Sequence, residues 1–175
     1  MVKISGNRAD HWVSNPDSNH VAVLFFGPNL GLVRDRSKSV LRVLSGDNLD
    51  DPFSVVMIDE ARLKAEPSVI SDEAFAQSFL GGGKVVGISG ANDKFVSPLS
   101  EILTGGLNPN PIVVEAGDLP PRSKLRNLFE KADNAAAIGC YEDDARSVTT
   151  LVETRFRDMG IQADRKAVEA LAARL

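Results

Sequence analysis

Val21-Ala-Val-Leu-Phe-Phe-Gly27-Pro-Asn29-Leu-Gly31-Leu32-Val33 decides how the chain is read. Six apolar residues of strand length run into a Gly-Pro-Asn turn, and a helix opens at Gly31. This is the outline of a phosphate-binding loop. A working loop reads G-x-x-x-x-G-K-[ST]: backbone N–H groups wrap the phosphates, the lysine neutralises the terminal ones and the hydroxyl holds Mg²⁺. Leu32 and Val33 stand where charge and hydroxyl belong. The stretch therefore predicts a nucleotide-hydrolase architecture without a hydrolase site, in which Gly27, Asn29 and Gly31 keep a shape and bind no nucleotide.

Four further apolar runs follow, at Phe53–Ile58, Lys84–Ser89, Ile112–Ala116 and Ala135–Cys140. Most are apolar on consecutive positions, the mark of parallel strands buried on both faces. Helical patterns lie between them. Val33, Val40, Leu41 and Leu44 share one face that stops at Gly46. Pro67 opens a second helix through Val69, Ile70, Ala74 and Phe75, and Ser97-Pro98 a third through Leu99, Ile102 and Leu103. Leu125, Leu128 and Phe129 line a fourth, and a short helix around Arg8 to Val13 leads the chain. Regular alternation of strand and helix predicts a three-layer α/β domain over residues 1–140, with a five-stranded, mostly parallel sheet. From Tyr141 the alternation gives way to two amphipathic helices, one carrying Val148, Leu151, Val152 and Phe156, the other Val168, Leu171 and Leu175. Asp164 is the expected N-cap of the latter. The apolar pattern is still running at Leu175, so residues 141–175 read as the truncated start of a helical domain.

Composition narrows the function. With 175 residues, 43% of them apolar, the chain can bury a core, and its net charge of −4 disfavours nucleic acid as a partner of the whole surface. One cysteine, Cys140, excludes an internal disulfide and a multi-cysteine zinc site. No apolar run reaches the roughly 18 residues of a membrane span, and a cytoplasmic protein without metal or cofactor is expected.

Several motifs compete for chemistry. Val55-Val-Met-Ile-Asp59-Glu60 looks like an acidic Walker B strand, yet it is only the second strand in sequence, so Asp59 is expected to bond local backbone N–H groups. An unorthodox nucleoside-triphosphatase using Lys38 or Lys84 with Asp59 is the rival enzymatic reading. Gly87-Ile-Ser89-Gly-Ala91 approaches a nucleophile elbow, but His11 and His20 both precede the serine, against the required order. The basic run Arg122 to Lys131 alternates with Leu and Phe at helical spacing and reads as a solvated helix face. Phe79-Leu80, followed by three glycines, either finishes the core or presents an apolar anchor to a partner.

Taken in order, these segments resemble the delta subunit of bacterial DNA polymerase III, a subunit of the sliding-clamp loader, over essentially the whole chain. The matching marks are Gly27 to Val33, Pro52-Phe53 through Asp59, Ser78-Phe79-Leu80-Gly81-Gly82, Val113 to Leu119, Ser123 to Lys131 and Ala135 to Tyr141, in a style similar to alphaproteobacterial proteins. The resemblance implies an AAA+-like first domain, a small helical second domain and a collar domain absent here. It also implies a replication role without intrinsic catalysis, as part of a DNA-directed DNA polymerase, a nucleotidyltransferase holoenzyme. The implied partners are the sliding clamp (beta subunit), the gamma/tau and delta prime subunits, and DNA only within the assembled complex. By position, the clamp-binding apolar pair is Phe79 and Leu80, in the reverse of the family's more frequent Leu-Phe order.

Overall fold

A computed structural model describes residues 3–4, 7–49, 51–77, 84–106, 108–141, 156 and 164–172. The chain divides into two compact units, Met1–Tyr141 and Glu142–Leu175. In the first, the elements are β1 (Lys3–Ile4), α1 (Asn7–Ser14), β2 (Ala22–Phe26), α2 (Leu30–Ser45), β3 (Val55–Ile58), α3 (Glu60–Ala65) and α4 (Val69–Phe75). They continue through β4 (Val85–Ala91), a 3₁₀ turn at Asp93–Phe95, α5 (Val96–Thr104), β5 (Ile112–Ala116), α6 (Lys124–Lys131) and β6 (Ala135–Gly139).

The strands form one sheet in the order β1-β6-β2-β5-β4-β3, and every described pairing is parallel. The five expected strands are therefore all present in a three-layer α/β unit. A sixth, β1, pairs Lys3 with Ala137 and Ile4 with Ile138; at two residues it was too short to leave an apolar pattern.

Strand β2 explains why consecutive apolar residues are needed. Ala22, Leu24 and Phe26 join the core beneath α4, α5 and α6, while Val23 and Phe25 join the one beneath α1 and α2. Strand β5 divides likewise, with Ile112, Val114 and Ala116 on one side and Val113 on the other. Successive side chains point to opposite faces of a strand, so an unbroken run packs two cores at once.

Helix ends follow from short polar residues and glycine. The Asn29 side chain accepts from Leu32 N at 3.0 Å, and Gly46, at φ 63°, terminates α2 in the left-handed conformation. Three boundaries differ from expectation. Strand β3 begins at Val55 because the Asp51 carboxylate accepts from Phe53 N (3.1 Å) and Ser54 Oγ (2.6 Å), turning the chain and leaving Phe53 66% exposed. Asp59 does bond backbone, accepting from Arg62 N at 2.8 Å, and in doing so it caps a helix, α3, that the sequence pattern did not announce. Pro67 lies in a turn before α4, whose N-cap position is Ser68.

In the second unit a helix spans Arg165–Ala172, with Asp164 Oδ1 accepting from Ala167 N at 2.7 Å and Val168 buried. Phe156 is helical. Val148, Leu151, Val152 and Leu175 lie outside the described residues, as does the side chain of Leu171.

Candidate functional site

Gly27 follows the last residue of β2, at the carboxyl edge of the sheet where open α/β folds bind ligands. Its backbone sits at φ 149°, and a Cβ placed there would lie 2.1 Å from the carbonyl oxygen of Cys140. Glycine is thus required for a close crossing between the ends of β2 and β6. Five of the turn's backbone N–H groups are engaged within the protein. Gly27 N donates to Gly117 O (3.1 Å), Asn29 N to Cys140 O (3.3 Å), and Leu30 N to Pro28 O (3.1 Å). Leu32 N donates to the Asn29 side chain and Val33 N to Asn29 O (3.0 Å), while Pro28 has no N–H. A phosphate needs these same donors pointing outward. The loop has kept its shape and turned its donors inward.

Beside the turn, a cavity of about 610 Å³ is lined by Leu30, Arg34, Asp59, Glu60, Ser89 and Glu115, among others. Arg34 is its one basic lining residue, against three carboxylates. Glu60 is held below the usual carboxylate range by hydrogen bonds from Lys94 and Asn92 (2.7 Å to the latter). The cavity is electrostatically wrong for a polyphosphate. Lys84 cannot repair this. It directly precedes β4, so in a parallel sheet it lies at the edge opposite Gly27, about 20 Å away along a seven-residue strand. Lys38 is exposed on α2, roughly 10 Å along the axis from Gly31. Ser89 gains no base either, since His11 lies on α1 and His20 precedes β2 at the far edge.

In the basic run Arg122, Lys124 and Lys131 are exposed as expected of a solvated face, and Arg126 alone departs from it. Arg126 is only 8% exposed. Its guanidinium lies 4.9 Å from the centre of the Phe26 ring and donates to Glu130 Oε1 (2.9 Å) and Leu119 O (3.1 Å). This arginine braces the end of β2 from within, and one turn of helical periodicity could not distinguish that from a solvated position.

At the opposite edge lie the described residues that flank the candidate partner segment. Phe79 and Leu80 themselves lie outside the described residues, but both ends of their segment are built. Helix α4 buries Val69, Ile70 and Ala74 and leaves Phe75 42% exposed at its end. Burial pushes the Glu73 carboxyl up, yet hydrogen bonds from Lys84 and Arg62 outweigh it and hold the group below the usual range. Arg62 Nη2 donates to Glu73 at 2.7 Å, and Lys84 Nζ donates to the other carboxylate oxygen. One carboxylate on α4 thus grips the residue that re-enters the sheet. Asn110 completes the base: its backbone N donates to Ala74 O (2.7 Å) and its Nδ2 to Glu73 O (3.0 Å) and Ala76 O (2.8 Å). These bonds satisfy carbonyls that a helix end leaves orphaned. Sequence reasoning missed Asn110, whose partners lie more than thirty residues away; its place between Pro109 and Pro111 was the available signal. Asn110→Ala should cost about 1–2 kcal/mol, seen as a lower urea midpoint with an unchanged denaturant slope.

Among the described residues no group of three or more His, Cys, Asp or Glu is arranged to hold a metal ion, and no helix is long and apolar enough to cross a membrane. No family model matches the chain, and no curated protein matches it. Among solved structures, the Bacillus subtilis DNA clamp loader delta protein (YqeN) aligns over 93% of this chain and 50% of its own length, with a TM-score of 0.68 and 18% identity. Domain III of the Thermotoga maritima replication initiation protein DnaA aligns over 94% of this chain and 72% of its own, with a TM-score of 0.42 and 11% identity. The chain spans half the length of the Bacillus protein. What the Bacillus likeness establishes is the fold, a three-layer parallel α/β architecture.

Proposed function

We propose that this chain is the AAA+-like portion of a delta-type clamp-loader subunit, which binds the ring-shaped sliding clamp and favours its open form during DNA replication. The observation that carries the reading is the inward-turned glycine loop, on a fold matched at a TM-score of 0.68 by a clamp loader delta protein. A subunit of this architecture that has given up its phosphate donors takes part in an ATP-driven machine as a binder. ATP hydrolysis falls to partner subunits of the gamma/tau type, with delta prime completing the loader, and DNA is met only in that assembly.

Phe79 and Leu80 supply the grip in this reading, and the described residues on either side of their segment are tied together by Glu73, Lys84 and Asn110. Such a grip opens a ring only if it favours the open form, because equal affinity for both forms shifts nothing. The rigid three-layer body provides the lever that makes the two affinities unequal.

The experiment is retention of the protein on immobilised sliding clamp. Phe79→Ala combined with Leu80→Ala should weaken binding by roughly 30-fold or more, the equivalent of one lost hot spot of about 2 kcal/mol, with an unchanged circular dichroism spectrum. Full-strength retention of the double variant overturns the site. Calorimetric titration with Mg-ATP should show no binding, and a stoichiometric binding heat would return the nucleoside-triphosphatase to first place.

A further inference from the structure

Helices α5 and α6 lie on the same face of the sheet, each following a strand at its carboxyl edge and descending to the amino edge. Between them is a cavity of about 840 Å³, with Val96, Leu103, Leu128 and Ala132 among its walls. Leu103 is buried, while Val96, Leu128 and Ala132 are half-buried and pack against the core beneath. Helix α6 in fact carries two apolar pairs at a spacing of one turn. Leu125 and Phe129 are fully buried in the core, and the second pair, Leu128 with Ala132, lines the cavity instead.

The polar side chains of the lining are mostly occupied. Thr104 Oγ1 donates to Ser100 O (2.8 Å), Asn127 Nδ2 to Pro121 O (2.7 Å) and Ser123 O (2.8 Å), and Asn134 Nδ2 to Leu103 O (3.1 Å). Asp133 is likewise engaged within the chain. Lys124 and Lys131 differ: both are exposed, and neither belongs to an ion pair among the described residues. They are the first and last residues of α6, roughly 10 Å apart along its axis. Two ammonium groups therefore bracket an apolar floor.

An occupant must offer apolar surface in its middle and a negative charge towards each end. A fatty acid has one carboxylate for two lysines, and a nucleic acid backbone has charge but no apolar face for Leu128. An amphipathic helix with acidic residues two turns apart meets both demands.

We propose that the groove between α5 and α6 docks an amphipathic, acid-flanked helix of a partner protein, its apolar side chains against Val96, Leu128 and Ala132 and its carboxylates on Lys124 and Lys131. The site rests on α5 and α6 alone and stands apart from the clamp-loader reading.

The probe is a fluorescein-labelled helical peptide with glutamates at positions i and i+7 and leucines at i+3 and i+4, compared with the same peptide carrying lysines in place of the glutamates. In fluorescence anisotropy with the whole chain, the acidic peptide should bind saturably and the basic one roughly tenfold or more weakly. Lys124→Glu combined with Lys131→Glu, both at exposed positions, should reverse that preference. Leu128→Gln should weaken the acidic peptide about fivefold. Should that variant fold poorly by circular dichroism, the lysine reversal carries the test alone. The proposal is overturned if the acidic peptide does not bind, if the two peptides bind alike, or if the lysine reversal leaves the preference unchanged. Dodecanoate displacing the peptide at equal or lower concentration would make the groove a lipid site, and a dimer in sedimentation that the peptide dissociates would seat a second copy there; either result overturns it too.

Discussion

Gly27→Ala should destabilise the first unit by roughly 4 kcal/mol or more, lowering its melting temperature by at least about 8 °C or leaving it insoluble. The added methyl would lie 2.1 Å from Cys140 O and 2.7 Å from Cys140 C, at a φ of 149° that side-chain-bearing residues rarely adopt. Neither wall can give way cheaply. Cys140 N donates to Phe26 O at 2.7 Å and Cys140 O accepts from Asn29 N, so moving it unzips the end of the β2–β6 ladder. Gly31, in the same motif, supplies the contrast. Its Cβ would approach only Asn29 Oδ1, at 3.4 Å, in the exposed first turn of α2, where alanine gains up to about 1 kcal/mol over glycine in helix propensity. Gly31→Ala should therefore be neutral or slightly stabilising. Urea denaturation of the two variants side by side is decisive: equal behaviour would mean that the crossing at Cys140 does not constrain the turn.

The second large effect is expected at Arg126. Truncation to alanine strands the partly buried Glu130 carboxylate, frees the Leu119 carbonyl and uncovers the Phe26 ring. Breaking one side of a buried charge pair typically costs about 3–5 kcal/mol. The loss here belongs at about 3 kcal/mol, because the Glu130 side chain keeps 22% of its exposure. Arg126→Met, which keeps most of the packing volume, combined with Glu130→Gln should recover a good part of that stability. If Arg126→Ala melts within a degree or two of the unaltered protein, the solvated-face reading is restored for Arg126 as well.

These two positions also mark how far the sequence could be read. Strands β2 and β5 were legible because burial on both faces writes an unbroken apolar run, and α2 because its apolar face ends at a glycine. Helix α3 was not, since none of its residues is buried and a helix without an apolar face leaves no periodicity. Arg126 looked like its charged neighbours because the pattern records residue type, and only the packing of β2 against α6 turns that guanidinium inward. At the glycine loop, the missing lysine was plain, but the reason no phosphate fits was not: it depends on carbonyls of Gly117 and Cys140 that arrive from ninety and more residues away. The tie between Asn110 and the end of α4 was hidden in the same way, since its partners lie more than thirty residues upstream.

The capping bond from Leu32 N to the Asn29 carboxamide bears on reversibility. A lysine at 32 and a threonine at 33 would restore the letters of a nucleotide motif, yet the threonine hydroxyl would enter the core that now holds Val33 at 2% exposure. The donors would also still be spoken for by Asn29, Cys140 and Gly117. Recovering ATP binding would need several substitutions together, each harmful or useless alone. The turn behaves as a one-way gate in sequence space: no single substitution towards the nucleotide motif brings phosphate binding any nearer.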